Sequence, residues 1–532
     1  MCGIAGYISK DLNAKQWLTD TVTHLNFRGP DGSGKYVNGQ VGLGHTRLSI
    51  IDLSKNGEQP MIIANNAITL NGEIYNYLDL KREVITYDDL AIGAQGNDAH
   101  TFLAYINKFG VHKALNDSNG MFAFAFHDNL NEKVYLAVDR FAQKPLYYYE
   151  NKNGFYFCST LAGLVPLEDK WSIDRDALET FWHLGGVIGS DQIFSGMKKL
   201  CAGQLLEYDL KSRNYKVITW YIPKVHKATK DYVKDMVIKA ISSVQISDVP
   251  INIFLSGGID STLVASLFRN HTAIHLKSNE IQYAKQVADK FNLDFKLIEP
   301  EAEDIKTIMN DFVSKSGELT MAGAIPWITS KYARQYGKVA VIANGADELF
   351  FGYDRLINDN LPQSKRQLDH TFRGTNYPHE RLNRYRKTFN YAPSSRYTDL
   401  MVFVQYDLNR TLDHASMCHG LEVRSPFLDH RLVEAALSLH ESEHRSNGNK
   451  TVLKEMLEKM GFNQNFISRP KSGFSMHYQP QNFESEKEKA MQFCINENYL
   501  TIEKNISGRD FQYLRSCALG FYYWHKNFQH VL

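Results

Sequence analysis

Cysteine is scarce and scattered. Six residues, at 2, 158, 201, 418, 494 and 517, are spread over 532 positions with no C-x-x-C pair. That pattern excludes a zinc ribbon and a disulfide scaffold, so reduced thiols in a cytoplasmic protein are expected. Excess charge is missing too, because 60 Lys+Arg oppose 59 Asp+Glu for a formal net charge of +1. No global field gathers nucleic acid or an anionic membrane surface. No apolar run approaches about 18 residues. The opening "MCGIAGYISKDLNAKQW" lacks the basic-then-apolar pattern of an export signal. Small-molecule partners are expected, with no nucleic acid and no membrane.

What is present is an ordinary globular composition, 43% hydrophobic and 22% charged, at a length that one core does not usually organise. Two domains are expected. Up to about Tyr221, short runs rich in Tyr, Phe, Val and Ile ("AITLNGEIYN", "MFAFAFHD", "KVYLAVDR") alternate with turn formers, the signature of strands and turns. From about Lys227 the periodicity becomes helical, broken by the short apolar strands "INIFL" and "VAVIA". That alternation predicts an α/β domain with a mainly parallel sheet. The change of texture places the boundary between 210 and 225, with no repeat or low-complexity linker to mark it.

"INIFL" opens into "SGGIDS", Ser256 to Ser261, and then "TLVASLF". Two glycines leave room for backbone N–H groups to wrap an anion, and a helix beginning near Ser261 aims its positive end there. The expected ligand is a nucleotide phosphate, against the plainer reading of a Gly-rich strand-to-helix turn. Asp260 would repel phosphates unless a cation lies between, so Mg²⁺ is expected with the nucleotide. In "VIANGADELFFGY", Val341 to Tyr353, a second strand ends in a loop. Asp347 there can supply another carboxylate to the same Mg²⁺, since strand carboxyl ends line one crevice. Glu348 is two-sided: a ligand, or a residue that caps a helix or faces water.

Cys2 follows the initiator Met. If Met1 is removed, the thiol and a free α-amine share one residue, and the amine can act as general base. Position alone favours an ordinary small residue at a chain end, but the context supplies partners. Arg47 can pair with an α-carboxylate and Asp98 with an α-ammonium, while Asn71 with Gly72 can donate to an oxyanion. Together they suit a free amino acid held beside a thiol.

Two pattern matches are rejected. "GPDGSGK", Gly29 to Lys35, has the Walker spacing but is followed by Tyr36 and lacks the flanking strand and helix. "HESEH", His440 to His444, fits a metalloprotease pattern, yet a solvated polar helix end is expected there. Lys471 in "RPKSGFS" is either a surface lysine or a cation near a developing oxyanion.

In order along the chain, "MCGIAGY", "RGPDGSG", "RLSIIDL", "NGEIYN", "GMFAFAF" and "KPLYY", then "SGGIDS", "GADELF", "GLEVRSPFLDH" and "RPKSGFS" resemble the glutamine-hydrolysing asparagine synthetase family, which are class II glutamine amidotransferases. The resemblance implies an α+β N-terminal-nucleophile (Ntn) hydrolase glutaminase domain of αββα layering, residues 2–210, followed by an α/β ATP-pyrophosphatase (PP-loop) domain, residues 226–532. It implies that Cys2 attacks glutamine. Arg47, Leu48, Ser49, Ile50, Ile51, Asn71, Gly72, Glu73 and Asp98 would bind it, with Asn71 and Gly72 as oxyanion donors. It further implies ATP at Leu255, Ser256, Gly257, Gly258, Asp260, Ser261, Ile342 and Ala343, Mg²⁺ at Asp260 and Asp347, and Lys471 beside the adenylate. Ammonia would cross a channel between the domains, and a homodimer is compatible with the resemblance.

Departures from the family pattern fall mostly in the second half. The family's Ser-Gly-Glu-Gly is Ile342-Ala343-Asn344-Gly345 here, and an amide cannot act as the base that a glutamate can. Asp407 matches a second acidic position of that site, Phe351 replaces a Gly, Ser159-Thr160 stands for Ser-Glu, and "TAIHLKSNE" is shortened. The leading expectation is ATP-dependent, AMP-forming amidation of aspartate to asparagine. Alternatives are another carboxylate such as a sugar uronate or biosynthetic intermediate, a cyclase like the β-lactam synthetases, and a non-catalytic glutamine or nucleotide sensor.

Overall fold

The computed structural model describes residues 2–85, 96–321, 323–354, 356, 394–446, 448–469, 480–502 and 508–532. Two six-stranded antiparallel sheets form the first half. The first is built on Gly3–Ser9, which pairs with Val41–Arg47 on one side and Gly154–Cys158 on the other. The second runs through Asn66–Ile74, Gly120–Asp128 and Lys133–Val138. Its far edge is the hairpin Gln204–Asp209 with Asn214–Thr219. That last strand ends at Thr219, within the 210–225 stretch where the sequence texture changes.

Period-two patterning explains the layering. In Gly120–Asp128, Phe122, Phe124 and Phe126 face the helix Asp98–Phe109 in one core, while Ala123 and Ala125 face the other sheet's Ile4, Leu43 and Phe157 in a second core. The helix Asn13–His24 lies on the outer face of the first sheet, where a Cβ on Gly44 would sit 2.5 Å from Val22 Cγ2. Helix, sheet, sheet and helix thus stack as the αββα arrangement.

The second half holds a five-stranded parallel sheet. Its order is Asp294–Ile298, Thr272–Leu276, Ile251–Phe254, Val339–Val341, Glu422–Arg424. From the central Ile251–Phe254 the chain first builds outward on one side, then returns to add Val339–Val341 on the other. The carboxyl ends of these two neighbours form the switch point at which open α/β sheets bind ligands. "SGGIDS" follows one of them and "IANGADE" the other.

The halves share buried contacts. Trp182 and Phe194 of the first half meet Phe521 and Trp524 of the C-terminal helix Gly508–Phe528, with ring centroids 5.5 and 5.0 Å apart. Buried ion pairs cross the seam: Arg28–Asp413 at 2.9 Å and Lys144–Asp413 at 3.4 Å. Among the described residues, no helix is long and apolar enough to cross a membrane.

Candidate active sites

Cys2 lies at the mouth of its strand, buried, with its backbone N–H 2.9 Å from Asn71 Oδ1. That bond fixes the Asn71 carboxamide, whose Nδ2 is buried and has no hydrogen-bond partner among the described residues. A buried donor without a partner is costly and needs a reason; an incoming oxyanion supplies one. Gly72 beside it has φ +137°, and a Cβ there would fall 1.9 Å from Met121 O. Burial raises the pKa of the Cys2 thiol, opposed by the Leu48 backbone N–H.

Around this pair the structure gathers the residues expected from the sequence. Arg47 folds its guanidinium onto the carbonyls of Ser54, at 2.7 Å, and Asp52. Leu48, Ser49, Ile50 and Ile51 continue the chain beyond it. Ser49 N–H donates to Asp31 Oδ2 at 2.7 Å, and Leu48 and Ile50 pack in the core of the second half. Asp98, in the first turn of its helix, accepts from Ile74 N–H at 3.0 Å and is hydrogen-bonded to Glu73. Burial, then repulsion from Asp98 and Glu422, holds the Glu73 carboxyl well above the usual carboxylate range.

Sequence reasoning missed Arg28, although it stands in the quoted "RGPDGSG". Its Nε donates to Cys2 O at 3.0 Å while its Nη2 pairs with Asp413. The signal was a buried arginine, which residue type alone does not reveal.

The second site forms at the switch point. Gly257 has φ +87°, and a Cβ there would meet Ala284 N at 2.8 Å. Ser256 Oγ lies 2.9 Å from Ser261 Oγ and accepts from Gly258 N–H at 3.2 Å. The helix starts at Ile259, capped by Gly258 with no side-chain bond to its first amides. Leu255 is tied to the adjoining strand through Ile274 O at 2.9 Å, and Ile342 N–H donates to Arg424 O at 2.9 Å. Ala343 packs against the core beneath. Arg469 donates to Gly257 O and stacks on Tyr283 at 4.0 Å, a clamp on the loop that the sequence reading overlooked. Lys471 lies outside the described residues.

Asp260 Oδ2 and Asp347 Oδ1 each lie 2.5 Å from Lys450 Nζ. Two carboxylates aimed at one cationic centre, with Asp260 Oδ1 buried and without a partner among the described residues, are a donor set of the kind Mg²⁺ takes. The residues present fit that ion. Glu348 neither caps nor faces water: it is buried, accepts from Tyr353 OH at 3.0 Å, and has its pKa pushed to about 7 by burial and then by Asp347.

The departures are also placed. Asn344 is half-buried in the turn after Val339–Val341. Phe351 takes the left-handed conformation, φ +57°, a cost of about 1 kcal/mol for a non-glycine residue. It is held by burial and by Arg396 stacked 4.5 Å from its ring. Ser159 Oγ accepts from Ile4 N–H at 2.9 Å. Burial raises the pKa of Asp407 to about 6 and Arg410 opposes the rise, and its charge acts on Tyr513 and Cys517 of the C-terminal helix. The acid of the Asp399–Asn409 segment whose charge acts on Glu348 is Asp399. Of the two rejected patterns, "GPDGSGK" runs into the strand Gly32–Asn38. In "HESEH", His444 is buried on Ala436 O at 2.8 Å rather than solvated.

Residues 1–221 match the glutamine amidotransferase domain family and residues 232–502 match the asparagine synthase family. A putative glutamine-hydrolysing asparagine synthetase 2 of Methanocaldococcus jannaschii is 31% identical over 403 residues, covering 67% of this chain and 76% of that protein. The chain belongs to the glutamine-hydrolysing asparagine synthetase family. Another similar protein, asparagine synthetase 1 of Bacillus subtilis, is 25% identical over 567 residues, covering 89% and 87%. The amidase chry2 of Gibberella zeae is 27% identical over 418 residues, covering 68% and 61%. As an asparagine synthetase-type enzyme, the protein is an ATP-dependent ligase that takes its nitrogen from glutamine.

Proposed function

We propose that Cys2, freed of Met1, attacks the side-chain amide of glutamine, and that the ammonia released amidates a carboxylate adenylated at the second site, aspartate being the default acceptor. The orientation of Asn71 carries this reading. Its Oδ1 is held by the backbone N–H of Cys2 and Nδ2 is buried without a partner among the described residues, so it can donate to the oxyanion formed when the thiol attacks, and the Gly72 N–H would add a second donor. Arg47 orients the α-carboxylate, and Asp98 with Glu73 takes the α-ammonium. The absence of a disulfide among the six cysteines supports a cytoplasmic setting.

A carboxylate is inert to ammonia until one oxygen becomes part of a good leaving group. Adenylation achieves this by joining the acceptor oxygen to the α-phosphorus of ATP and releasing pyrophosphate. The Ser256–Ser261 loop would cradle the phosphates with backbone N–H groups, Arg469 would hold the loop in shape through Gly257 O, and Asp260 with Asp347 would hold Mg²⁺. That ion would supply charge neutralisation for pyrophosphate departure. Lys471 is assigned to the adenylate on the family match alone.

A second reading is amidation of a different carboxylate, favoured by Asn344, which cannot accept a proton from the attacking ammonia. The similarity to an enzyme named as an amidase rather than an asparagine synthetase is compatible with it. The deciding experiment supplies ATP, Mg²⁺, glutamine and a panel of carboxylic acids, and follows pyrophosphate and new amide. Aspartate-dependent pyrophosphate with asparagine supports the default. Turnover with another acid and silence with aspartate replaces it.

A further inference from the structure

Lys450 caps a helix with its backbone, its carbonyl accepting from Lys454 N–H at 2.9 Å, but its side chain is turned to another use. It has left-handed backbone angles, φ +53° and ψ +31°, just before the helix Thr451–Lys459. Its backbone N–H is fixed on Phe350 O at 3.0 Å, tying it to the "GADELF" turn. Its side chain is only 4% exposed, yet it reaches Asp260 and Asp347, which are 15% and 20% exposed. Gly352 clears the path: a Cβ there would lie 1.8 Å from Asp347 Oδ1 and 2.6 Å from Lys450 Cε. Three separate segments therefore converge on one ammonium.

Two carboxylates that share a centre cannot both stay ionised without a cation between them. Mg²⁺ binds such oxygens at about 2.1 Å, and the ammonium already stands 2.5 Å from each. The two cations compete for the same oxygen atoms. We propose that Lys450 is the resident counter-ion of the unloaded metal site, displaced when metal arrives with ATP, so that the enzyme discriminates against metal without nucleotide. The displaced ammonium would turn to the triphosphate, whose negative charge replaces the carboxylates as its partner. This rests on the reading of Asp260 and Asp347 as metal ligands. It adds that Lys450 makes metal binding depend on nucleotide.

The test titrates full-length protein with Mn²⁺ alone and follows free ion by electron paramagnetic resonance, for wild type, Lys450→Met and Lys450→Arg. Wild type should bind Mn²⁺ weakly, and tightly once a non-hydrolysable ATP analogue is added. Lys450→Met should bind Mn²⁺ alone at least about tenfold more tightly than wild type, and Lys450→Arg should resemble wild type. If Lys450→Met is too unstable to titrate, its melting temperature gives the second readout. Mg²⁺ should raise it, equal ionic strength of choline chloride should not, and the wild-type melt should respond to neither. Equal Mn²⁺ affinity in wild type and Lys450→Met, or tight binding by wild type without nucleotide, overturns the proposal while leaving the metal site standing. Failure of Mn²⁺ to bind wild type even with the analogue overturns the metal-site reading and this proposal with it.

Discussion

The two reaction centres of this chain differ in how far they depart from their family. In the half that carries Cys2, Asn71, Glu73, Asp98 and Arg47 are all buried, and the residues matched to glutamine binding follow the family pattern. At the second site Asp260 and Asp347 converge on Lys450, and the sequence departs from the family pattern at Asn344 and Phe351. Glutamine hydrolysis needs one fixed substrate, so little change is expected in the residues that would hold it. Adenylation needs ATP plus an acceptor, and most of the departures from the family pattern fall in this half of the chain. The acceptor, rather than the chemistry, is the open variable of this enzyme.

The sharpest way to break the comparison is to remove one centre. Cys2→Ala should lower glutamine-dependent amide formation by at least about 10³-fold and leave ammonia-dependent formation intact, as measured by paired assays with the two nitrogen sources. Intact glutamine-dependent synthesis would refute the nucleophile. Asp260→Asn should reverse the pattern, lowering pyrophosphate release by about 10²-fold or more while glutamate release continues. Retained pyrophosphate release would remove Asp260 from the site.

Between the centres lies the buried pair Arg28–Asp413, with side chains 0% and 1% exposed. Asp413→Ala leaves two buried cations, Arg28 and Lys144, without their carboxylate. It should cost about 3–5 kcal/mol in a denaturant melt, and should lower glutaminase turnover because Arg28 holds Cys2 O. A loss under about 1 kcal/mol would mean that the pair behaves like a surface bridge. His414 sits on the same seam, with burial lowering its pKa from 6.5 to about 4. A histidine depressed on folding contributes stability that is whole above about pH 6.5 and is lost as pH falls through about 4. His414→Gln should flatten the stability curve across that window, which melts at several pH values would show.

Much of this was legible in the sequence because the signals are local. Ile251–Phe254 followed by two glycines and a helix is one contiguous device, and the alternating Phe and Ala of "MFAFAF" specify both faces of a strand. What was not legible depends on distant partners. Lys450 and Arg469 read as ordinary lysine and arginine until the fold brings them to Asp260 and Gly257. Asp407 and Asp399 lie on one helical segment, and only packing decides which of them bears on Glu348. The strand Asn214–Thr219 was also hard to read, because it is a largely exposed edge strand with little hydrophobic alternation to reveal it.

The smallest expected effect addresses the acceptor. Asn344→Glu restores a carboxylate at the turn and should raise aspartate-dependent pyrophosphate release several-fold, well short of the roughly 10²–10⁴-fold that a fully positioned base supplies. No gain would show that the pocket differs beyond this one position.

The central claim is that nitrogen released at Cys2 is consumed at the Asp260–Asp347 site of the same molecule. Glutamine labelled with ¹⁵N at its amide, supplied with ATP, Mg²⁺ and the accepted carboxylate in a large excess of unlabelled ammonium, tests it directly. The account predicts that the product amide carries predominantly ¹⁵N. A product labelled only to the extent of the mixed ammonium pool would contradict it.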